Sequence, residues 1–316
     1  MLAVPSHGET ASHGVITCSD RRMLPAACCA LLSAKRHVGL TSVRFFLLAI
    51  DIDDNAREQI KIFTRHHGFD IEVVDFVSPS FEGQGLGRWP ASAVARLYMD
   101  EQLPSDIDRL LYLDADTLVV SALDALFDID LKGQPLAAVD DFLMAFPRNM
   151  GVRIAQIGTA PESRYFNSGV LLIDWAGLKR RNFLKDARAL FFRDSNRYDC
   201  PDQDALNVVT ERNWLPLDPK WNAQTGILAF VPKPAILHFT GPKKPWHSRV
   251  QFMHRDAHRF YKTELAGTAW AGFCATPSIF ANIRSLLSHH LINVTKQRKH
   301  RITQRYFEAQ QTPRGT

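Results

Sequence analysis

An α/β fold with a largely parallel sheet is the architecture this sequence predicts, and two observations carry that expectation. Short β-rich apolar runs at residues 15–18, 43–50, 71–74, 109–113, 136–139 and 169–173 alternate with segments of helical spacing at 25–36, 56–66, 92–103 and 181–193. Three of the runs are followed by an acid, Asp20, Asp114 and Asp141. In open α/β sheets ligands gather beyond the carboxyl ends of strands, so acids there stand where a ligand is met.

The bulk properties agree with one globular enzyme. The chain has 316 residues, 46% hydrophobic and 22% charged, which excludes general disorder. No apolar stretch approaches the roughly 20 residues that a membrane-spanning helix needs. The first 14 residues are polar, read as a flexible N-terminus, and lack the basic start and apolar centre of a secretory signal; a cytoplasmic location is expected. Five cysteines, an odd number without a CxxC pair, predict buried reduced thiols rather than a disulfide framework. The net charge of +5 is concentrated in the tail, where seven Lys or Arg after residue 280 face one acid, Glu308.

In chain order, the first strand leads into a loop, SDRRMLP. The Gly- and Pro-bearing stretch 78–90 reads as a loop that either folds over a ligand or lies plainly on the surface. The run RLLYLDADTLVV, residues 109–120, is the sharpest feature. Two carboxylates one residue apart at a strand terminus let Asp114 and Asp116 approach one hard cation, although acids after strands are common without one. In RYFNSGVLLIDW, residues 164–175, Asn167 and Ser168 precede a strand, suited either to sugar hydroxyls or to a turn. In CPDQDALNVV, residues 200–209, Asp202, Gln203 and Asp204 open a helix, where acids also simply complement the helix dipole. In ILHFTGPKKPWH, residues 236–247, His238 ends a strand and is either a core histidine or a nitrogen ligand for Mn²⁺. Gly241 there permits close backbone approach, and Lys244 supplies a point charge for phosphate. Beyond residue 248 the pattern is helical, at 250–265 and 277–295, and then basic. This divides the chain into 1–14, a catalytic domain at 15–248, and a helical, basic region at 249–316.

These four motifs, in this order, resemble the family 8 glycosyltransferases, above all the bacterial lipooligosaccharide α-galactosyltransferases and related α-glucosyltransferases, over roughly residues 15–247. The resemblance implies a GT-A fold, a UDP-galactose or UDP-glucose donor, Mn²⁺ (or Mg²⁺) on the diphosphate, and transfer with retention to a saccharide acceptor such as a lipopolysaccharide core. By motif, Asp114, Asp116 and His238 would hold the metal. Cys18, through its backbone, and Asp20 would hold the nucleoside, with Arg96 and Ala115 also at the donor and Gly241 and Lys244 at the diphosphate. Asp141, chosen over its neighbour Asp140, would surround the transferred sugar with Asn167, Ser168, Asp202 and Gln203. Gln203 falls beneath the anomeric carbon, and its weakly nucleophilic amide favours front-face attack, with Asp202 the rival nucleophile. Arg21 and Arg22 depart from the small polar or acidic residues usual in that first loop.

The tail, residues 279–305, joins apolar residues to a basic cluster. That pattern suits either contact with an anionic membrane or a helix packed on the catalytic domain. It does not suit nucleic acid, since no recognised module is present and aromatics are sparse among the cations. A nucleotidyltransferase would need a Gly-rich phosphate loop after the first strand, where this chain has CSDRRMLP. The remaining alternative is an inactive UDP-sugar- or glycan-binding scaffold of the same fold.

Overall fold

The computed structural model describes residues 12–76, 91–194, 197–248, 250–276, 286–287 and 297–311. The first half of the chain runs β1 (His13–Asp20), α1 (Leu24–Arg36), β2 (Val43–Ile50), α2 (Asp54–His67), β3 (Glu72–Phe76), α3 (Ala91–Ala95), α4 (Met99–Gln102), β4 (Arg109–Leu113), β5 (Thr117–Val119), α5 (Asp124–Phe127), β6 (Leu136–Asp140) and α6 (Pro147–Ile157). There follow β7 (Phe166–Asp174), α7 (Trp175–Arg180), α8 (Phe183–Asp194), α9 (Pro201–Thr210), β8 (Leu215–Pro216), β9 (Ala223–Gln224), β10 (Ile236–His238), α10 (Arg255–Glu264) and α11 (Gln297–Gln311).

A seven-stranded sheet has the order β3-β2-β1-β4-β7-β6-β8, and a smaller one the order β5-β10-β9. From β3 to β4 every pairing is parallel, as the alternation predicts, whereas β7 runs antiparallel to both β4 and β6. Between β6 and β7 the chain makes only a short helical excursion, α6, and an antiparallel return needs no crossover to the far end of the sheet. Side-chain alternation divides the sheet's two faces between two cores. Val15, Phe45 and Leu111 pack with α1 and α2, while Ile16, Phe46 and Leu110 pack with α7, α8 and α9.

Several boundaries differ from the pattern reading. β1 begins at His13, two residues before the run expected from residue 15, and residues 1–11, the bulk of the segment expected to be flexible, lie outside the described residues. The helix expected at 92–103 is broken by a 3₁₀ turn, Arg96–Tyr98, and the one at 181–193 starts after Asn182, whose φ is 52°. The strand expected at 169–173 runs from Phe166 and takes in Asn167 and Ser168, because β7 is irregular there: Ala138 pairs with Leu171 and the next residue, Val139, with Asn167. Four of the five cysteines are buried, but Cys200 is exposed.

The C-terminal helices belong to the same body. Tyr261, Trp270 and Phe307 are buried in the core that contains Val15, and the Tyr306 hydroxyl donates to Asp140 at 2.7 Å. α11 therefore docks on the α/β body as a small basic appendage. Loop 78–90 and most of the apolar stretch 279–292 lie outside the described residues, of which Leu286 and Leu287 are exposed. Among the described residues no helix is long and apolar enough to cross a membrane.

Candidate functional site

β4 ends in a tight turn, Asp114–Ala115–Asp116, closed by a Thr117 N–H to Asp114 carbonyl bond of 3.0 Å, before β5 departs. β5 is too short to stand alone and pairs with β10, which brings His238 opposite Thr117. The small sheet thus joins two motifs 120 residues apart in the chain. Ligand atoms of Asp114, Asp116 and His238 all lie within 4.8 Å of one another. His238 Nε2 is 3.7 Å from Asp114 Oδ2 and 3.4 Å from Asp116 Oδ1.

A directional chain of hydrogen bonds fixes the histidine. Asp141 Oδ2 accepts from Asn167 Nδ2 at 3.1 Å, Asn167 Oδ1 accepts from Asn222 Nδ2 at 2.9 Å, and Asn222 Oδ1 lies 2.9 Å from His238 Nδ1. Each amide has its oxygen facing the previous donor, so a neutral His238 carries its proton on Nδ1 and turns the Nε2 lone pair to the two carboxylates. That is the donor set and tautomer a divalent transition metal requires. Gly169 completes the cradle: a Cβ there would stand 2.1 Å from His238 Cε1 and 2.6 Å from Asp114 Oδ2.

The charges around this triangle are balanced. Burial alone would raise the Asp116 carboxyl, but a doubly protonated His238 and the Lys244 ammonium beside it hold it well below the usual carboxylate range; with His238 neutral, Lys244 alone supplies the opposing charge. Lys244 Nζ lies 2.5 Å from Asp116 Oδ2 and donates to the Phe239 carbonyl at 2.7 Å. Asp114 Oδ1 accepts from Arg96 Nη2 and from the Tyr112 hydroxyl, both at 2.8 Å. The Arg96 guanidinium also reaches Ser168 Oγ at 3.1 Å and Asp202 at 3.1 Å, so it ties the Asp114 turn to the start of α9. Burial pushes the Asp202 carboxyl up, with Arg96 opposing.

Gln203 faces Asp141 and Ser168. Its Oε1 accepts from the Ser168 N–H at 2.9 Å and hydroxyl at 3.2 Å, while its Nε2 donates to Tyr165 at 3.1 Å and Asp141 Oδ2 at 3.3 Å. Asp141, not Asp140, turns to this cluster; Asp140 pairs with Arg164 and Tyr306. The acid Asp204 faces away from the site, bonded to Arg153 at 2.8 Å and Tyr165 at 2.6 Å.

At the carboxyl end of β1 Asp20 accepts from the N–H groups of Arg22 and Met23, at 3.0 and 3.2 Å, which caps the turn into α1. Arg21 pairs with Asp53 on the exposed surface. Cys18 is buried, and burial pushes its thiol up to about 12, so its side chain is inert. Gly241 has φ 86° and open space around it, so glycine is needed there for backbone conformation.

Sequence reasoning missed Tyr112, Tyr165, Gly169 and Asn222. Tyr112 had a readable signal, since it lies two residues before Asp114 and so on the same strand face. Asn222 had none: it ends a 3₁₀ turn, Pro219–Asn222, outside any periodic run. Replacement of Asn222 by alanine is expected to weaken Mn²⁺ binding by about 10- to 100-fold by freeing the imidazole. Calorimetric titration of Mn²⁺ measures it, and an unchanged affinity would show that the relay does not position His238.

Under the loop that carries Lys244 lies His254, fully buried against Phe239, with neither ring nitrogen partnered among the described residues. Burial, and secondarily the Lys244 charge, lower its pKa to about 4. Since the unfolded chain then binds the proton first, this contribution to stability is intact above pH about 6.5 and is lost as the pH falls towards 4, about 1.4 kcal/mol per unit. Thermal denaturation from pH 7.5 to 4.5 is expected to be less steeply acid-sensitive in His254→Leu than in the parent; parallel curves would refute the assignment.

Known proteins place this geometry. The family model described as glycosyl transferase family 8 matches residues 15–249. General stress protein A of Bacillus subtilis (strain 168) is 25% identical over 248 residues, 72% of this chain and 84% of that protein. The lipopolysaccharide 1,2-glucosyltransferase of Escherichia coli (strain K12) is 28% identical over 58% of this chain, and the match spans only 56% of that relative's length. The crystal structure of galactosyltransferase LgtC in complex with donor and acceptor sugar analogs aligns with a TM-score of 0.72 at 25% identity, covering 82% of this chain and 99% of that one. The architecture is accordingly GT-A, a single α/β domain with the C-terminal helices appended.

Proposed function

The chain belongs to glycosyl transferase family 8, and from that premise we propose that it moves galactose or glucose from a UDP-sugar to a saccharide acceptor, with retention of anomeric configuration. The acceptor in this reading is a lipopolysaccharide core or another cell-surface glycan, met at the cytoplasmic face of the membrane. The observation that carries the reading is the convergence of Asp114, Asp116 and a tautomer-fixed His238 around one point, with Gly169 keeping that point clear.

Those three residues would hold Mn²⁺ or Mg²⁺. When bound, the cation supplies positive charge where the departing diphosphate becomes negative. Lys244, already against Asp116, would add its charge on the same side, and Gly241 would let the backbone approach the phosphates. Cys18 by its backbone and Asp20 are assigned to the nucleoside end, and Arg96 and Ala115 to the donor. Asp141, Asn167 and Ser168 are assigned to the sugar.

Gln203 and Asp202 are assigned the catalytic places. The Gln203 amide is held by four hydrogen bonds, which presents its polar edge in a fixed orientation but offers no carboxylate. Asp202 is tied to Arg96. Both facts support front-face attack by the acceptor hydroxyl over a covalent glycosyl-enzyme.

The test is release of free UDP from a panel of UDP-sugars by the purified protein, with and without Mn²⁺. One hexose donor is expected to be hydrolysed slowly, and only with metal. If no donor turns over and calorimetry detects no UDP binding with Mn²⁺, the transferase reading fails in favour of an inactive scaffold.

A further inference from the structure

Beside the sugar cluster, and separate from it, lies a cavity of about 650 Å³ between the start of α6 and the C-terminal helix α11. That volume is in the range of ligand sites. Its apolar wall is Phe142, Phe146 and Ile302. The Phe142 ring lies against Gly226, where a Cβ would stand 3.0 Å from it, so a glycine makes room for this wall. At the mouth stand Arg148 and Lys299, both exposed, and among the described residues no carboxylate pairs with either.

Two further features concern what such a cavity takes. Ile302 is 39% exposed, so the apolar wall opens to solvent on that side. Inwards, the wall adjoins the sugar cluster through Asp141, the residue before Phe142. Asp141 Oδ1 accepts from the Leu143 N–H at 3.0 Å and so caps the turn that carries Phe142, while its Oδ2 accepts from Asn167 and Gln203. Ligand in the cavity would therefore lie one residue away from the groups assigned to the transferred sugar.

An apolar floor with unpaired cations at its rim is complementary to an aliphatic chain that ends in a phosphate. We propose that this cavity binds the lipid end of an anionic, lipid-linked saccharide acceptor, with the chain on Phe142, Phe146 and Ile302 and the phosphate at Arg148 and Lys299. That the lipid belongs to an acceptor rests on the transferase reading. The ligand class rests on the cavity itself.

The test is calorimetric titration of the full-length protein with monomeric dihexanoyl-phosphatidylglycerol, and in parallel with dihexanoyl-phosphatidylcholine and with glycerol phosphate. Saturable binding of the anionic lipid is expected, with weaker binding of the choline lipid and none of glycerol phosphate. Lys299→Glu is expected to weaken the anionic lipid about fivefold or more, and Ile302→Asp about tenfold or more. Both side chains are exposed, so the melting temperature and the affinity for UDP with Mn²⁺ are expected to stay at the parent values. Equal binding of the two lipids, binding that survives Ile302→Asp, or no lipid binding beside intact donor turnover would each overturn the cavity proposal. Lipid binding without any donor turnover would instead remove the transferase reading and leave the cavity's ligand class standing.

Discussion

Gly169→Ala is expected to cut metal-dependent UDP release about 100-fold or more while leaving the protein folded. The added methyl would have to stand 2.1 Å from His238 Cε1 and 2.6 Å from Asp114 Oδ2, well inside contact distance. Neither neighbour can move away freely: His238 is held by Asn222, and Asp114 by Arg96 and Tyr112. The accommodation must come from spreading the three ligands or displacing β7. A displacement of about 1 Å at a reacting centre costs on the order of 100-fold in rate, and overpacking of this kind costs about 1–3 kcal/mol in stability. Mn²⁺ titration and UDP release check the first effect, and thermal denaturation the second. Gly151→Ala is the control, since nothing lies within 4 Å of a Cβ there and the residue is in α6; alanine is expected to be neutral or slightly stabilising. Parent-like Mn²⁺ affinity in Gly169→Ala would mean that the ligand triangle does not hold the ion.

The contrast between Asp116 and Asn222 explains how far the sequence can be read. Asp114 and Asp116 follow an apolar run, a local pattern visible within eight residues, and the helix that carries Asp202 and Gln203 begins where its acids and proline place it. His238 also ends a strand, but its link to the acids is a β5–β10 pairing of strands only three residues long, too short for periodicity to announce. Asn222 is further removed, in a 3₁₀ turn whose relevance exists only once β10 is in place. Strand direction was the weakest element of the fold reading. The apolar run of β7 is the same whether parallel or antiparallel, and the deciding feature, the connection from Asp141 to Tyr165 with its one helix, carries a pattern that does not distinguish a crossover from a return. The break at Arg96–Tyr98 was equally hidden, since it turns Arg96 towards Asp114 and Asp202, two partners distant in sequence.

The same triangle makes Asp116→Asn the other large-effect substitution. The amide keeps the shape of the carboxylate, so packing is unchanged and the loss is one of charge. In the parent the carboxylate is ionised despite burial, because the positive charge beside it, from a protonated His238 and from Lys244, opposes the desolvation. In the variant Lys244 loses its 2.5 Å partner and the metal triangle loses one of its two anions. A divalent cation then loses the attraction that offset the repulsion of the neighbouring ammonium. UDP release at fixed Mn²⁺ is expected to fall by about 10³-fold or more, the scale on which stabilisation of a charged leaving group contributes. The dependence on metal concentration separates the causes. If millimolar Mn²⁺ restores the parent rate, Asp116 serves only to raise affinity for the ion. If the rate stays low at saturation, Asp116 also sets where the ion stands relative to the diphosphate. A variant that releases UDP at the parent rate without added metal would remove Asp114, Asp116 and His238 from the reaction altogether.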